Sequence, residues 1–257
     1  MENIIIISGM HRSGTSLTAK WLRELGVNIG ENLLPPEQSN PQGHYEDLDF
    51  LNFHNKILRK NGLGHSVYGN INIHIDRNDF AFAKRLVEAR AGLTLWGWKE
   101  PRTCLFLDFW KGLLPQSRFF FVFRSYDQVV NSLKRREGTL RMLFPVSLYK
   151  DYLYSRVWQY YNKRILDFVE KNESKCMIFD IEDLIRHSIL IADYMEKNWN
   201  LPIKKQNIEA FFKPELFHNK RTSLQKKLCK IMLPSIDATL SKLQIKSIYY
   251  INIVRKF

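Results

Sequence analysis

The stretch that decides the fold is "NIIIISGMHRSGTSLTAKWLRELG", residues 3–26. It opens with a continuous run of apolar β-branched residues, which is typical of a buried strand in a parallel sheet. After a glycine loop, Leu17, Trp21 and Leu25 fall on one face of a helix that Gly26 ends. In such a unit the backbone N–H groups of the loop and the positive end of the helix dipole point toward the same place. The unit therefore predicts an anion-binding site.

The loop has the spacing of a phosphate-binding loop but lacks its lysine. Two glycines keep the four-residue gap of G-x-x-x-x-G-K-[ST], while Thr15 occupies the lysine position. The cation of the loop is Arg12, which lies between the glycines. Such a loop suits a phosphate-like anion better than a magnesium triphosphate. The alternative to anion binding is that the loop is a glycine turn that only packs the strand against the helix. The candidate ligands of the anion are His11, Arg12, Ser13, Gly14, Thr15 and Ser16.

A second strand, turn and helix is predicted in "SRFFFVFRSYDQVVNSLKRRE", residues 117–137. The pattern predicts a buried strand at Phe119–Phe123 and a helix with Asp127 as its N-cap. Arg124 leaves the end of the strand, and Ser132 lies eight residues later on the helix. A guanidinium and a hydroxyl in these places can converge on one phosphate. Taken alone, an arginine at a strand end is more often part of a surface salt bridge.

The remaining segments alternate between helical and strand patterns. Such alternation favours an α/β protein, a three-layer fold with a central parallel β-sheet covered on both faces. We expect one domain over residues 1–257, with the basic segment 218–257 as a peripheral extension. The patterns predict a loop at 33–43, helices at 44–62, 79–92 and 148–172, a strand running into a loop at 94–102, and strand, turn and helix at 175–185. Residues 63–80 have no clear pattern.

Composition limits the compartment and the cofactors. The chain has 257 residues, 45% of them hydrophobic and 25% charged, and no window approaches 18 consecutive apolar residues. The start runs directly into the first strand and does not have the pattern of a signal peptide. Three cysteines far apart (Cys104, Cys176 and Cys229) favour a reducing, cytoplasmic location. The seven histidines show no metal-ligand spacing, so we expect no metal site.

The net charge of +13 is uneven along the chain. Residues 218–257 carry nine Lys or Arg and one acid, Asp237, a net charge of +8, and the rest of the chain carries +5. Excess positive charge favours polyanionic ligands, anionic membranes or nucleic acid, although it also serves solubility. The tail "SIYYINIVRKF" mixes apolar and basic residues, so it could touch an anionic membrane or simply dock as a last strand or helix. No nucleic-acid-binding motif is present, and the oligomeric state stays open.

Several blocks resemble the sulfotransferase family, in particular its bacterial members. "GMHRSGTSLT" resembles the family's 5′-phosphosulfate loop, and Arg124 and Ser132 match its 3′-phosphate pair at the family spacing. "NPQGHYED", "WGWKEPR" and "FDIEDLI" resemble further blocks, so the likeness runs from about Ile4 to Leu184. Two features depart from the family pattern. Tyr126 stands where a proline is usual, and the C-terminal glycine-and-basic segment that closes on the nucleotide is not visible.

The resemblance implies a P-loop NTPase-like fold and a specific chemistry. The donor would be 3′-phosphoadenosine 5′-phosphosulfate (PAPS), and the sulfuryl group would pass to a hydroxyl or amine of a small molecule or glycan, without a metal. Arg12 would contact the 5′-phosphate and bridging oxygen, and Lys99 the sulfonate, unless Lys99 pairs with Glu100 or another acid. Glu46 is the preferred base, unless it only complements a helix dipole. Asp47 and His44 are the alternative bases.

Two other classes of function compete with this interpretation. One is an atypical P-loop kinase or another nucleotide-binding protein, which Mg²⁺-ATP binding would support and the missing lysine disfavours. The other is a non-catalytic basic module that binds nucleic acid or membrane, with strongly salt-dependent binding.

Overall fold

The protein is built around a parallel β-sheet of four strands within the residues that the structure describes. The computed structural model describes residues 3–37, 43–64, 67–69, 71–138, 144–212 and 229–257, with the side chains of 144 and 145 excepted. The strands, in the order β2-β1-β3-β4, are β1 (Asn3–Ser8), β2 (Leu95–Lys99), β3 (Arg118–Phe123) and β4 (Cys176–Asp180). All neighbouring pairs are parallel. The predicted parallel sheet is therefore confirmed.

Helices cover the sheet on both faces. In β3, Phe120 contacts Trp21 on one face, whereas Phe119 and Phe121 contact Phe168 on the other. The predicted three-layer α/β fold is thus confirmed. The helices are α1 (Thr15–Glu24), α2 (Leu48–Lys60), α3 (Arg77–Glu88), α4 (Leu107–Leu113), α5 (Tyr126–Arg136), α6 (Phe144–Lys171), α7 (Ile181–Asn198) and α8 (Ile236–Val254), with 3₁₀ turns at Pro101–Leu105, Glu173–Lys175 and Ile208–Phe211. None of the helices in the described ranges has the apolar length to cross a membrane.

The C-terminal helix α8 lies along the edge strand β4. The Ser247 hydroxyl accepts a hydrogen bond from the Asp180 N–H (2.9 Å) at one end of β4. Near the other end, the Tyr250 hydroxyl donates to the Glu173 carbonyl (3.4 Å). An uncovered edge strand presents unpaired backbone groups, so a helix placed here protects β4. The tail therefore docks as a helix and not as a strand, while its part at 213–228 lies outside the described residues.

Two local predictions need correction at helix starts. Asp127 was predicted to cap α5, but Ser125 is the N-cap residue because its backbone is extended (φ −56°, ψ 144°) and the helix already begins at Tyr126. Asp127 therefore lies in the first turn, where its charge complements the helix dipole. Similarly, no turn separates β4 from α7, because Asp180 ends the strand and its carboxylate caps the helix through the Glu182 N–H (2.9 Å).

Candidate active site

A cleft opens where strands β1, β2 and β3 end. The carboxyl ends of parallel strands meet at one edge of a sheet, and ligands of such sheets bind there. The space between its walls is about 840 Å³ when the open solvent at its mouth is included. Its lining combines the first loop, residues 43–46, the end of β2 and the start of α5. It is lined by His11, Arg12, Gly14, Thr15, Ser16, Leu17, Lys20, Gly43, His44, Tyr45, Glu46, Lys99, Pro101, Arg124, Ser132, Arg136 and Phe211.

The first loop is held in a conformation that exposes the N-terminus of α1. Arg12 and Gly14 have positive φ angles of 68° and 93°, and a non-glycine residue in this region is strained. Gly14 is the N-cap of α1, and no side chain caps the helix there. The first-turn N–H groups of a helix have no partner inside the helix, and at a helix N-terminus they can bind an anion. A side chain at position 14 would also collide with Ile181, since its Cβ would lie 2.6 Å from the Ile181 Cδ1.

The two predicted phosphate corners meet in this cleft. The Arg12 Nε donates a hydrogen bond to the Ser132 Oγ at 2.9 Å, although the residues lie 120 positions apart in the chain. Arg124 lines the same cleft and donates through Nε to the Gln128 Oε1 (3.1 Å). Burial lowers the pKa of Arg124 to about 10, and the neighbouring guanidiniums of Arg135 and Arg12 add to this effect. The corner therefore concentrates positive charge, as an anion site requires.

The two other predicted catalytic residues form a buried ion pair on the wall of the cleft. The Lys99 Nζ lies 2.8 Å from the Glu46 Oε1 and donates to the His44 carbonyl at 3.0 Å. Lys99 is only 1% exposed, and Glu46 is also buried. Glu46 precedes α2 and is not part of its first turn, so it does not complement that helix as a first-turn charge.

Of the two alternative bases, only His44 faces the cleft. Asp47 caps α2 by accepting from the Asp49 N–H (2.9 Å), and its other oxygen pairs with Arg90 (2.7 Å). Asp47 is not among the residues that line the cleft. The His44 Nε2 has no hydrogen-bond partner and lies 3.6 Å from the Glu37 Oε2. Burial lowers the pKa of His44, which keeps its ring neutral near pH 7.

Glu100 serves a buried network behind the cleft and does not pair with Lys99. The indole of Trp110 donates to the His54 Nε2 (2.8 Å), so a neutral His54 carries its proton on Nδ1. That N–H donates to the Glu100 Oε2 at 2.7 Å, and Arg102 binds the other carboxylate oxygen at 2.7 Å. His54 and Glu100 are fully buried. The network fixes the backbone that directly follows Lys99.

The remaining predicted ligands of the loop have different surroundings. His11 lines the cleft beside Tyr161, with 6.1 Å between ring centroids, and burial followed by the charge of Arg102 lowers its pKa to about 3. Ser13 is buried, its Oγ has no hydrogen-bond partner, and it is not a lining residue. Thr15 and Ser16 both line the cleft. The loop thus brings all its candidates except the Ser13 side chain to the cleft wall.

Sequence reasoning missed several lining residues, among them Lys20, Arg136 and Phe211. Lys20 lies one helical turn after Ser16, a spacing that could have identified it. The Lys20 Nζ lies 5.0 Å from the centre of the Phe211 ring, and no local pattern points to Phe211. Five of the lining residues are Lys or Arg and one is acidic. Among the described residues, no group of three His, Cys, Asp or Glu side chains could hold a metal ion.

Comparisons with solved structures identify the fold. The sulfotransferase from Alicyclobacillus acidocaldarius matches over 91% of this chain and 96% of its own, with 13% identity and a TM-score of 0.51. The sulfotransferase STF1 from Mycobacterium tuberculosis matches over 89% and 76%, with 11% identity and a TM-score of 0.53. This chain has the bacterial sulfotransferase fold. The sulfotransferase STF9 from Mycobacterium avium gives the same result, with 14% identity over 94% and 75% and a TM-score of 0.53. No protein-family profile and no curated protein sequence matches the chain.

Proposed function

We propose that this protein transfers a sulfuryl group from PAPS to an acceptor hydroxyl, with a saccharide or glycan as the expected acceptor class. The observation that carries the proposal is the contact between Arg12 and Ser132 at 2.9 Å, which joins two distant phosphate-binding segments at one cleft. A ligand with anionic groups at two ends would use both segments. The acceptor class follows only from the analogy with the fold family.

The residues of the cleft fit this donor. The uncapped start of α1 and the guanidinium of Arg12 would hold the 5′-phosphosulfate. Arg124 and Ser132 would hold the 3′-phosphate, because an arginine fork pairs well with a phosphate. A phosphosulfate carries less negative charge than a triphosphate tail, so the lysine that is missing at Thr15 and a Mg²⁺ ion are not required. The excess of cations over acids on the cleft wall supports the same ligand.

The reaction needs fixed positive charge and one base. When bound, PAPS supplies an activated sulfuryl group whose leaving group is a phosphate. The acceptor oxygen forms a bond to sulfur as the bond to the phosphate oxygen breaks, by analogy with phosphoryl transfer. Arg12 and Lys99 would stabilise the charge that develops on the transferred group and the bridging oxygen. Glu46 would accept the proton of the acceptor hydroxyl, since Lys99 engages its Oε1 and leaves the Oε2 available.

The ion pair gives Lys99 and Glu46 a coupled role. The contact with Lys99 holds the Glu46 carboxylate in place before the acceptor arrives. Once Glu46 accepts the proton it becomes neutral, and its ion pair with Lys99 is lost. The Lys99 ammonium can then interact with the transferred sulfuryl group. His44 is the second candidate for the base, because its neutral ring lies on the same wall.

A binding experiment followed by an activity experiment tests the proposal. The unfolding temperature is measured with 3′-phosphoadenosine 5′-phosphate (PAP), with ATP and Mg²⁺, and without ligand. We expect PAP to raise it in a dose-dependent way and ATP with Mg²⁺ to raise it less. Transfer of label from radioactive PAPS to saccharide acceptors then tests the chemistry. Stabilisation by ATP with Mg²⁺ but not by PAP would favour the kinase, and no response to either nucleotide would refute the proposal.

A further inference from the structure

The outer side of α8 presents large apolar side chains to solvent. Ile245, Ile248 and Tyr249 are 65%, 56% and 42% exposed, and their spacing of three and four residues places them on one face. The opposite side of the helix, with Leu243 and Val254, is buried against the sheet edge. The helix is therefore already anchored, and its outer apolar residues are not needed for that packing.

Basic residues flank this apolar stripe. α8 has one acid, Asp237 in its first turn, which pairs with Lys230 and accepts a hydrogen bond from the Tyr126 hydroxyl. From 238 to 257 the chain has four basic residues and no acidic one. On a helix of 3.6 residues per turn, Arg255 borders the stripe on one side and Lys242 on the other. We define the α8 face as Lys242, Ile245, Ile248, Tyr249, Arg255 and Lys256, all of which are exposed. An apolar stripe between cations is the pattern of helices that lie in the interface of an anionic membrane.

We propose that the α8 face binds the surface of a bilayer that contains anionic phospholipid. The isoleucines and Tyr249 would enter the boundary between headgroups and acyl chains, where tyrosine rings are favoured. Lys242, Arg255 and Lys256 would contact the lipid phosphates. The proposal is independent of the proposed enzymatic activity.

Charge favours this occupant over the two others that the face could accept. A two-fold dimer would place the α8 face on a copy of itself, and that face, as defined, contains three cations and no carboxylate. Nucleic acid would use the lysines and arginines but would leave the exposed isoleucines without a role. An anionic bilayer satisfies both the charges and the apolar stripe.

The test is sedimentation of the full chain with vesicles of phosphatidylcholine alone and of phosphatidylcholine mixed with phosphatidylglycerol. We expect binding to the mixed vesicles, weak or no binding to the neutral ones, and a loss of binding as salt rises. The Ile245→Ser/Ile248→Ser variant should bind at least tenfold more weakly, because it removes two large apolar groups. Lys242→Gln/Lys256→Gln should also weaken binding, by roughly fivefold for each charge removed.

The matched control is Phe80→Ser/Lys84→Gln on α3. Phe80 is an exposed apolar residue and Lys84 an exposed cation, and the helix that carries them, α3, packs on α2. This control should bind like the wild type, and unfolding temperatures show whether each variant is folded. The proposal is overturned if wild type binds neither vesicle, if both vesicle types bind equally, or if the isoleucine variant binds unchanged. The proposal is also overturned if light scattering shows that the wild type is a dimer and the isoleucine variant a monomer, and if this is the variant's only effect.

Discussion

Replacing Arg124 with methionine should make the free protein more stable and at the same time weaken its binding of PAP. Arg124 is buried beside other cations, and its pKa falls from the ordinary arginine value to about 10. The charged form is therefore less favourable in the folded chain than in the unfolded chain. Below about pH 10 the side chain is protonated in both states, so the folded protein carries this cost in full at neutral pH. The cost is relieved only as the pH rises above 10.

The size of the effect follows from the pKa. The decrease of the Arg124 pKa to about 10 corresponds to about 3 kcal/mol of unfavourable free energy in the folded state. Loss of the bond to Gln128 and imperfect packing of methionine should offset about half of it. We therefore expect Arg124→Met to gain about 1–2 kcal/mol, which raises Tm by several degrees in a chain of this size. Loss of a charge-assisted phosphate contact should weaken PAP binding roughly tenfold or more.

Differential scanning calorimetry without ligand and titration calorimetry with PAP measure the two effects separately. The matched control is Arg118→Met, which removes a half-buried arginine from the first position of β3, at the opposite end of that strand from Arg124. Arg118 contacts the carbonyl and the ring of Trp199, so its loss should lower Tm and leave PAP affinity unchanged. Unchanged PAP affinity in Arg124→Met would refute the assignment of the 3′-phosphate corner, and a lower Tm would refute the charge argument.

Three further substitutions probe the loop and the ion pair. Gly14→Ala should abolish PAP binding and lower Tm, because φ is +93° and the new Cβ would meet Ile181 at 2.6 Å; calorimetry checks both. The pKa of His11 falls to about 3. Below pH 6.5 this histidine is therefore protonated in the unfolded chain but stays neutral in the folded chain. As the pH falls from 6 to 4, the free energy of unfolding should therefore decrease less in His11→Gln than in the wild type. The difference should be about 1 kcal/mol per pH unit, measured from unfolding curves in acid. Glu46→Gln should lower turnover by roughly 10²–10⁴-fold in the labelled-PAPS assay. PAP affinity should persist or rise, since the cleft loses its one acid; near-full turnover would remove Glu46 as the base.

The sequence was sufficient to predict the sheet because its strands are buried on both faces. Runs such as Phe119–Phe123 are apolar at every position, and such runs in alternation with helices leave few topologies. Sequence patterns could locate cleft-lining residues that lie on a loop at a strand end, as with Arg12 and Arg124. Asp127 was misassigned because Ser125, two residues earlier, also suits an N-cap and the backbone there is extended.

Long-range partners could not be predicted from the sequence. Lys99 had several possible acidic partners, and only the folded chain shows that it pairs with Glu46, 53 residues away. Phe211 lies at the cleft because the segment after α7 returns to α1, a path that no local pattern records. Such contacts depend on tertiary packing, whereas sequence patterns report local periodicity.

Several residues at and beside the cleft destabilise the protein when no ligand is bound, and their chemistry indicates which ligands would compensate. Arg12 adopts a left-handed backbone, Arg124 holds a charge against burial, and the buried Ser13 hydroxyl has no hydrogen-bond partner. Each feature costs free energy, and such features cluster where a ligand compensates for them. A neutral ligand would leave these cations uncompensated. We therefore expect a ligand with two anionic groups, such as the proposed bis-phosphorylated nucleotide, to compensate the charges of both Arg12 and Arg124.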